Sequence, residues 1–396
     1  MRIHRPQALL YLPPDTGTGL ARLSGLEGLA RSLIVGTVPL IAFERLSSKA
    51  AVSNAFAIGA VLTLLVTLNL GRLEALVKRR WVMTIGICSL FAAALLFTID
   101  AAPTFVIGIG LRSAAASTFS LVLTLYVMDF IGKNDLTRLE SNRMVYNGVG
   151  WLIGPLLGTW LAGAVDVAAP FLLSAGISVI VLAYYWYLRL GHSDVITEPK
   201  SVAPSPLANI GHFVKQKRMR VAYTITFVRS TFWVGLFVYA PIYTVEAGLA
   251  DWVAGAFLSG VAGLLLAGPI VRRVAESVGT RRVIIVGYGA IVVSLLALAS
   301  LGDPRPAGLL LWFAAAVGGS FIDIVGNIPF MRMVRPRERI AMATVFSTWR
   351  ELSALVSPLL GSLVLAASAP FEVYYVVLAV LCAATAGVTT LLPKRL

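Results

Sequence analysis

The amino-acid sequence predicts an all-α polytopic membrane protein, with 12 transmembrane helices arranged as two six-helix pseudo-repeats. Three observations carry this. First, hydrophobic residues make up 58% of the 396 and charged residues 13%, against roughly 45–50% and about 25% in a soluble domain. The apolar excess must therefore face lipid. Second, the apolar residues gather into twelve segments, each near the roughly 20 residues a bilayer-crossing helix needs. Third, the second half of the chain echoes the first at a shift near 202 residues. A soluble enzyme, a nucleic-acid-binding domain and a secreted module are excluded by the composition alone.

The spans follow in order. Span 1 covers about residues 19–43, span 2 about 50–70, span 3 about 81–100 and span 4 about 104–131. Spans 5 and 6 cover about 143–165 and 169–189. A polar stretch from Gly191 to Met219, carrying three prolines and a Lys215/Lys217/Arg218/Arg220 cluster, then breaks the pattern. Its second part, Leu207 through Arg220, has the makings of a basic amphipathic helix on the inner leaflet. Spans 7 and 8 cover about 220–246 and 251–271, spans 9 and 10 about 283–301 and 306–331, and spans 11 and 12 about 340–367 and 370–392. The expected organisation is a cytosolic tail (1–18), a six-helix bundle (19–189), a cytosolic loop (190–219), a second bundle (220–392) and a short cytosolic end (393–396).

Basic residues set the orientation, because loops rich in Lys and Arg stay cytoplasmic. With both termini inside, 25 of the 33 Lys and Arg fall in inner segments, 3 in outer loops and 5 within spans. The same distribution accounts for the net charge of +14 without nucleic acid, since the charge faces the anionic inner leaflet. The protein is expected in a plasma or bacterial inner membrane. No signal-peptide pattern opens the chain. Cys88 and Cys382 lie far apart in apolar runs, so no disulfide framework or metal site is expected from them.

The repeat is visible in two places. Gly154-Pro155-Leu156-Leu157-Gly158 in span 5 returns as Ser357-Pro358-Leu359-Leu360-Gly361 in span 11, displaced by 203. Glu74, Arg79 and Arg80 after span 2 return as Glu276, Arg281 and Arg282 after span 8, displaced by 202. Transporters built from such repeats place substrate near the midplane where the halves meet. In span 5, Gly150, Gly154 and Gly158 are spaced by four, so they line one helix face and admit a neighbouring backbone. Pro155 frees a carbonyl one turn earlier and permits a kink. The face is either a static packing surface or a flexible seam that seals the outer side of a cavity.

Over its whole length the chain resembles the major facilitator superfamily. The loop after span 8, Val274 to Arg282 with Glu276 and Gly279, is similar to that family's gating loop. The first copy, Gly71 to Arg80, keeps the leading Gly and the basic end, with Val77 in the later glycine slot. Arg112, followed by Ser113 and three alanines in span 4, is similar to the family's helix-4 arginine motif. The segment Gly148-x-Gly150-x-x-x-Gly154-Pro155-x-x-Gly158 resembles the signature of the family's exporters. The resemblance implies a secondary transporter in which spans 1, 4, 7 and 10 line a central cavity.

Charges within apolar spans are costly and mark functional candidates. Seven stand out: Glu27 and Arg31 in span 1, Arg112 in span 4, Arg229 in span 7, Asp323 in span 10, and Arg350 with Glu351 in span 11. Glu27 and Arg31 sit four apart with the acid first, the better order for a helical ion pair. They either neutralise each other, or Glu27 releases Arg31 and takes a proton or a cation. Asp323 is expected to pair with Arg350. Arg112, Arg229 and Arg350 together would suit an anionic metabolite or lipid-like substrate. The aromatics Tyr126, Trp233, Tyr239 and Trp312 in candidate lining spans are read as cavity walls or as packing residues.

The three histidines fall in cytosolic segments and no phosphate-binding Gly-Lys-Ser/Thr loop occurs, so an ATP-driven pump has no support. No enzyme activity, metal or cofactor is expected. The expected partners are a small, amphiphilic organic solute, protons and membrane lipids, and the protein is expected to act as a monomer. Export by proton antiport is the first reading and carriage of an anion the second. A transporter-like receptor or scaffold is the reading from another class.

Overall fold

The computed structural model describes residues 16–130, 136–188, 206–334 and 338–393. Most of the expected N-terminal tail, the first part of the central loop and the last three residues lie outside them. Every regular element among the described residues is helical. Helix occupies all twelve expected segments, and among the described residues nine stretches are long and apolar enough to cross a bilayer.

The chain forms two compact units. The first comprises residues up to Thr37 together with Leu62–Ala203; the second comprises Val38–Val61 and Pro204–Leu396. The end of span 1 and the first half of span 2 thus group with the later part of the chain.

In the first unit, α1 (Thr16–Leu33) is enclosed by α4 (Ala102–Phe130), α5 (Leu136–Ala164) and α6 (Ala169–Tyr187). Leu20, Leu23, Ala30 and Leu33 of α1 are fully buried. The closest approach is between α1 and α5, where the glycine face expected from sequence meets bare backbone. A Cβ at Gly150 would stand 3.0 Å from the Leu29 nitrogen, and one at Gly158 would overlap the Leu33 carbonyl oxygen. Polar side chains tie the same elements. Ser32 Oγ donates to the Gly150 carbonyl at 2.8 Å, and Ser174 Oγ to the Ala30 carbonyl at 2.7 Å.

Spans 2 and 3 run together as α3 (Lys49–Thr98), whose helical path is broken at Lys78 (φ 64°, ψ 149°). The matching break after span 8 is at Gly279 (φ 93°, ψ 139°). A second left-handed pair is Ser47 (φ 55°) and Gly248 (φ 75°). Both pairs are separated by 201 positions, so the backbone itself carries the repeat. In each pair the second copy has the glycine that such a φ favours, and the first does not.

In the second unit, α8 (Lys217–Glu246) is the central helix, packed by α9 (Asp251–Gly263), α12 (Pro306–Val325), α15 (Trp349–Ala366) and α16 (Glu372–Thr389). The segment α2 (Thr37–Leu46) and the start of α3 belong here. Ser53 Oγ lies 2.7 Å from the Tyr239 hydroxyl, and Lys49 Nζ lies 2.8 Å from Glu246 Oε2. Helix α11 (Thr280–Ser300) crosses α12 at Gly287 and Gly318, where a Cβ on either would meet the other's carbonyl.

Several spans are interrupted. Span 1 breaks between α1 and α2. Span 8 becomes α9, a 3-10 turn (Leu264–Ala267) and α10 (Gly268–Val278), which opens on a proline that cannot continue a preceding helix. Span 10 breaks after α12, before α13 (Ile328–Met333), which also opens on a proline. Span 11 divides into α14 (Arg339–Phe346) and α15. The helix expected in the central loop is α7 (Pro206–Lys215). Its Phe213 turns inward onto Met219, Met342, Val345 and Phe346, while Ile210 and Val214 remain exposed.

Candidate functional site

Two charged clusters occupy the spans, one in each unit. The first is built on α1. Its spacing puts Glu27 and Arg31 on one face, and they form an ion pair of 3.1 Å between Oε1 and Nε. Glu27 is 4% exposed. Arg31 sits in the last turn of α1, where the helix dipole favours a cation, and its guanidinium lies 5.6 Å over the Trp151 ring. Arg112 of α4 and Arg143 of α5 also act electrostatically on Glu27. The charges acting on Arg112 are those of Arg31 and Glu27. Arg112 Nε is shielded from solvent and makes no hydrogen bond among the described residues. Three guanidiniums therefore act on one carboxylate, which Arg31 already engages.

Arg143 and Trp151 escape a reading of the sequence. Arg143 stands at the edge of span 5, where it counts as one more inner-loop basic residue. A signal was available: 143, 147, 150/151, 154 and 158 recur at helical spacing, so Arg143 shares the glycine face that meets α1. Asn147 on that stripe donates to Ser24 Oγ at 2.9 Å.

The second cluster lies in the other unit. Arg229 of α8 is 4% exposed and pairs with Asp323 of α12 at 3.0 Å. The expected partner was Arg350. The break between α14 and α15 instead places Arg350 in the first turn of α15, where it is exposed. Trp349 carries two cations, the Arg229 guanidinium at 5.1 Å and that of Arg350 at 5.3 Å. Glu351 is buried beside Arg350.

Three of the four aromatics proposed as walls are enclosed by protein. Tyr126 is fully buried, sharing a 2.8 Å hydroxyl contact with Tyr185 under the Arg79 guanidinium. Tyr239 packs on Phe371 and Tyr374, and Trp312 meets Tyr375 edge-on at 5.6 Å. Trp233 is half-buried, next to Phe232 and Phe237. Of the loop motifs, Arg79 is folded into the Tyr126 cluster and the Arg80 carbonyl accepts from Tyr185 at 3.4 Å. The Gly71 and Glu74 side-chain positions lie outside the described residues. In the second copy, Arg281 donates to the Leu392 carbonyl at 3.2 Å, and Glu276 and Arg282 are exposed.

A family model described as Major Facilitator Superfamily matches residues 21–304. The chain belongs to that superfamily. It is an integral membrane protein and a transporter, not an enzyme. Solved structures with the same superfamily fold cover nearly all of it. A POT family transporter in complex with 5-aminolevulinic acid superposes with a TM-score of 0.77 at 12% identity, covering 96% of this chain and 98% of that one. The peptide transporter POT in complex with sulfate gives 0.75 at 12% identity, with 98% of each chain covered. The nucleoside transporter NupG gives 0.70 at 15% identity, covering 94% and 98%. No curated protein matches the chain in sequence.

Proposed function

We propose that this superfamily transporter moves a small amphiphilic organic solute by alternating access, coupled to protons, in a plasma or bacterial inner membrane with both termini cytoplasmic. The observation that supports this reading is the Glu27–Arg31 pair, a buried carboxylate held by a cation on its own helix. A carboxylate in such a place keeps its charge while a cation stays beside it. When the helix moves and Arg31 swings away, a proton takes the cation's place. Proton uptake and release at Glu27 are then tied to the helix movement that carries the solute. Outward transport is our reading of direction, from the resemblance of the α5 glycine signature to that of superfamily exporters.

Proteoliposomes with an entrapped pH-sensitive dye test the reading. A panel of anionic, cationic and zwitterionic amphiphiles is applied to the full-length protein. At least one solute is expected to move protons across the sealed membrane, and Glu27→Gln to abolish that movement. Solute counterflow with the same pH dependence in Glu27→Gln would overturn the coupling role. Binding with no counterflow at all would make the chain a receptor rather than a carrier.

A further inference from the structure

We infer that the α1–α4–α5 cluster is the subsite for an anionic group of the transported solute, a carboxylate or a phosphate, and that Arg112 is its principal ligand. This inference rests on the transport reading above and names the chemistry of the solute.

The argument begins with charge. Arginine stays protonated in any protein environment, so its charge must be answered by a carboxylate, carbonyls, water or a ligand. Glu27 is the acid that acts on Arg112, and its Oε1 is held by Arg31 at 3.1 Å. One carboxylate thus serves two cations, with Arg143 a third guanidinium within electrostatic reach. Arg112 Nε remains enclosed and without a hydrogen bond among the described residues. Glu27 thus shares its single negative charge between the guanidiniums of Arg31 and Arg112.

Shape agrees with charge. Ala115 and Ala116, three and four positions after Arg112, share its face of α4, so little side-chain bulk stands on that face. A guanidinium presents a planar fork of donors that matches a carboxylate or phosphate edge through two parallel bonds. Across the cluster, Trp151 lies under Arg31 and offers an apolar surface to the body of an amphiphile. A cationic solute would instead have to displace Arg31 from Glu27 while facing Arg112, a like charge.

Tryptophan fluorescence and thermal unfolding of the full-length protein in a non-ionic detergent test this. The probes are hexanoate and hexyl phosphate, with hexyltrimethylammonium as the cation of the same chain length. Either anion is expected to raise the unfolding temperature and to change an emission component that Trp151→Phe removes. In Arg112→Gln the apparent affinity for the anion should fall roughly tenfold or more, as loss of a charge-assisted bond implies. Arg112→Lys, which keeps the charge without the fork, should fall between. Lys215→Gln, at an exposed position of α7 in the other unit, should bind the anions as the parent does.

Stabilisation by the cation alone, no response to either anion, or anion binding unchanged in Arg112→Gln would each overturn the inference. If Arg112→Gln does not fold, weakened anion binding in Arg112→Lys and in Arg143→Gln supports it, and unchanged binding in both overturns it. The proton-coupling reading fails separately. Arg112-dependent anion binding combined with unaltered pH dependence in Glu27→Gln would leave the anion subsite standing and remove the coupling.

Discussion

The contact between α5 and α1 makes a quantitative prediction about Gly158. An added Cβ there would overlap the Leu33 carbonyl oxygen and stand 2.8 Å from the carbonyl carbon. Both are backbone atoms of a buried helix, so they cannot rotate aside as a side chain would. Forced overpacking of a close contact costs about 1–3 kcal/mol, and an overlap this deep belongs at the upper end. Alanine recovers roughly 1 kcal/mol over glycine through helix propensity. Gly158→Ala should therefore lose about 2 kcal/mol. Gly148 on the same helix provides the control, because an added Cβ there meets nothing within 4 Å. Gly148→Ala should gain up to about 1 kcal/mol. The expected gap between the two variants is about 3 kcal/mol, or more than a hundredfold in the unfolding equilibrium. Gly154→Ala should fall between them, because its deepest overlap is with the Ser32 hydroxyl, which can turn, although the Ser32 Cβ at 2.8 Å cannot. Turning it would sacrifice the Ser32–Gly150 bond. Equilibrium unfolding in mixed micelles, followed by circular dichroism, reads all three. If Gly158→Ala proves as stable as Gly148→Ala, the close backbone approach is wrong.

Other sites make further predictions. Lys78→Gly and Ser47→Gly relieve left-handed backbone at positions where the second repeat already has glycine, so each should stabilise by about 1 kcal/mol; thermal unfolding of each single variant reads this. Asp323→Asn leaves Arg229 buried without its counter-charge and should cost about 3 kcal/mol, whereas replacing both by apolar residues should recover most of that loss in a double-mutant cycle. Ser53 Oγ already donates to the Lys49 carbonyl at 2.7 Å, so Tyr239 is the donor in their contact. Tyr239→Phe should then cost about 1 kcal/mol, and Ser53→Ala combined with it should add little. Lys49→Ala removes a partly buried pair with Glu246 and should cost about 1 kcal/mol in low salt, less in high salt.

Much of this protein was legible before any coordinates. The scarcity of charge placed it in lipid, the apolar runs placed its helices, and the repeated Pro155/Pro358 and Glu74/Glu276 segments marked a duplication. The four-residue spacing of Gly150, Gly154 and Gly158 announced a face for close packing, and the i,i+4 order of Glu27 and Arg31 announced their pair. All of these are local: hydropathy sums along the chain, and helical period follows from neighbouring residues. The partner of that glycine face, α1 with its buried acid, was not local.

The tertiary structure decided what depends on where helices break and how they turn against one another. Asp323 takes Arg229 because the α14–α15 interruption moves Arg350 into the first turn of α15. Tyr126, Tyr239 and Trp312 are sealed in aromatic packing, though an aromatic on a span looks the same in sequence whether it faces a cavity, lipid or core. Arg143 joins Glu27 because it rides the glycine face of α5. The left-handed turn falls on Lys78, one position beyond the Val77 that the repeat register indicated, because one residue's offset within a helix costs the hydrophobic pattern almost nothing. Composition and period thus determined a twelve-helix membrane protein and its motifs the resemblance to a transporter superfamily, while the charges that meet within it were set by packing between segments far apart in the chain.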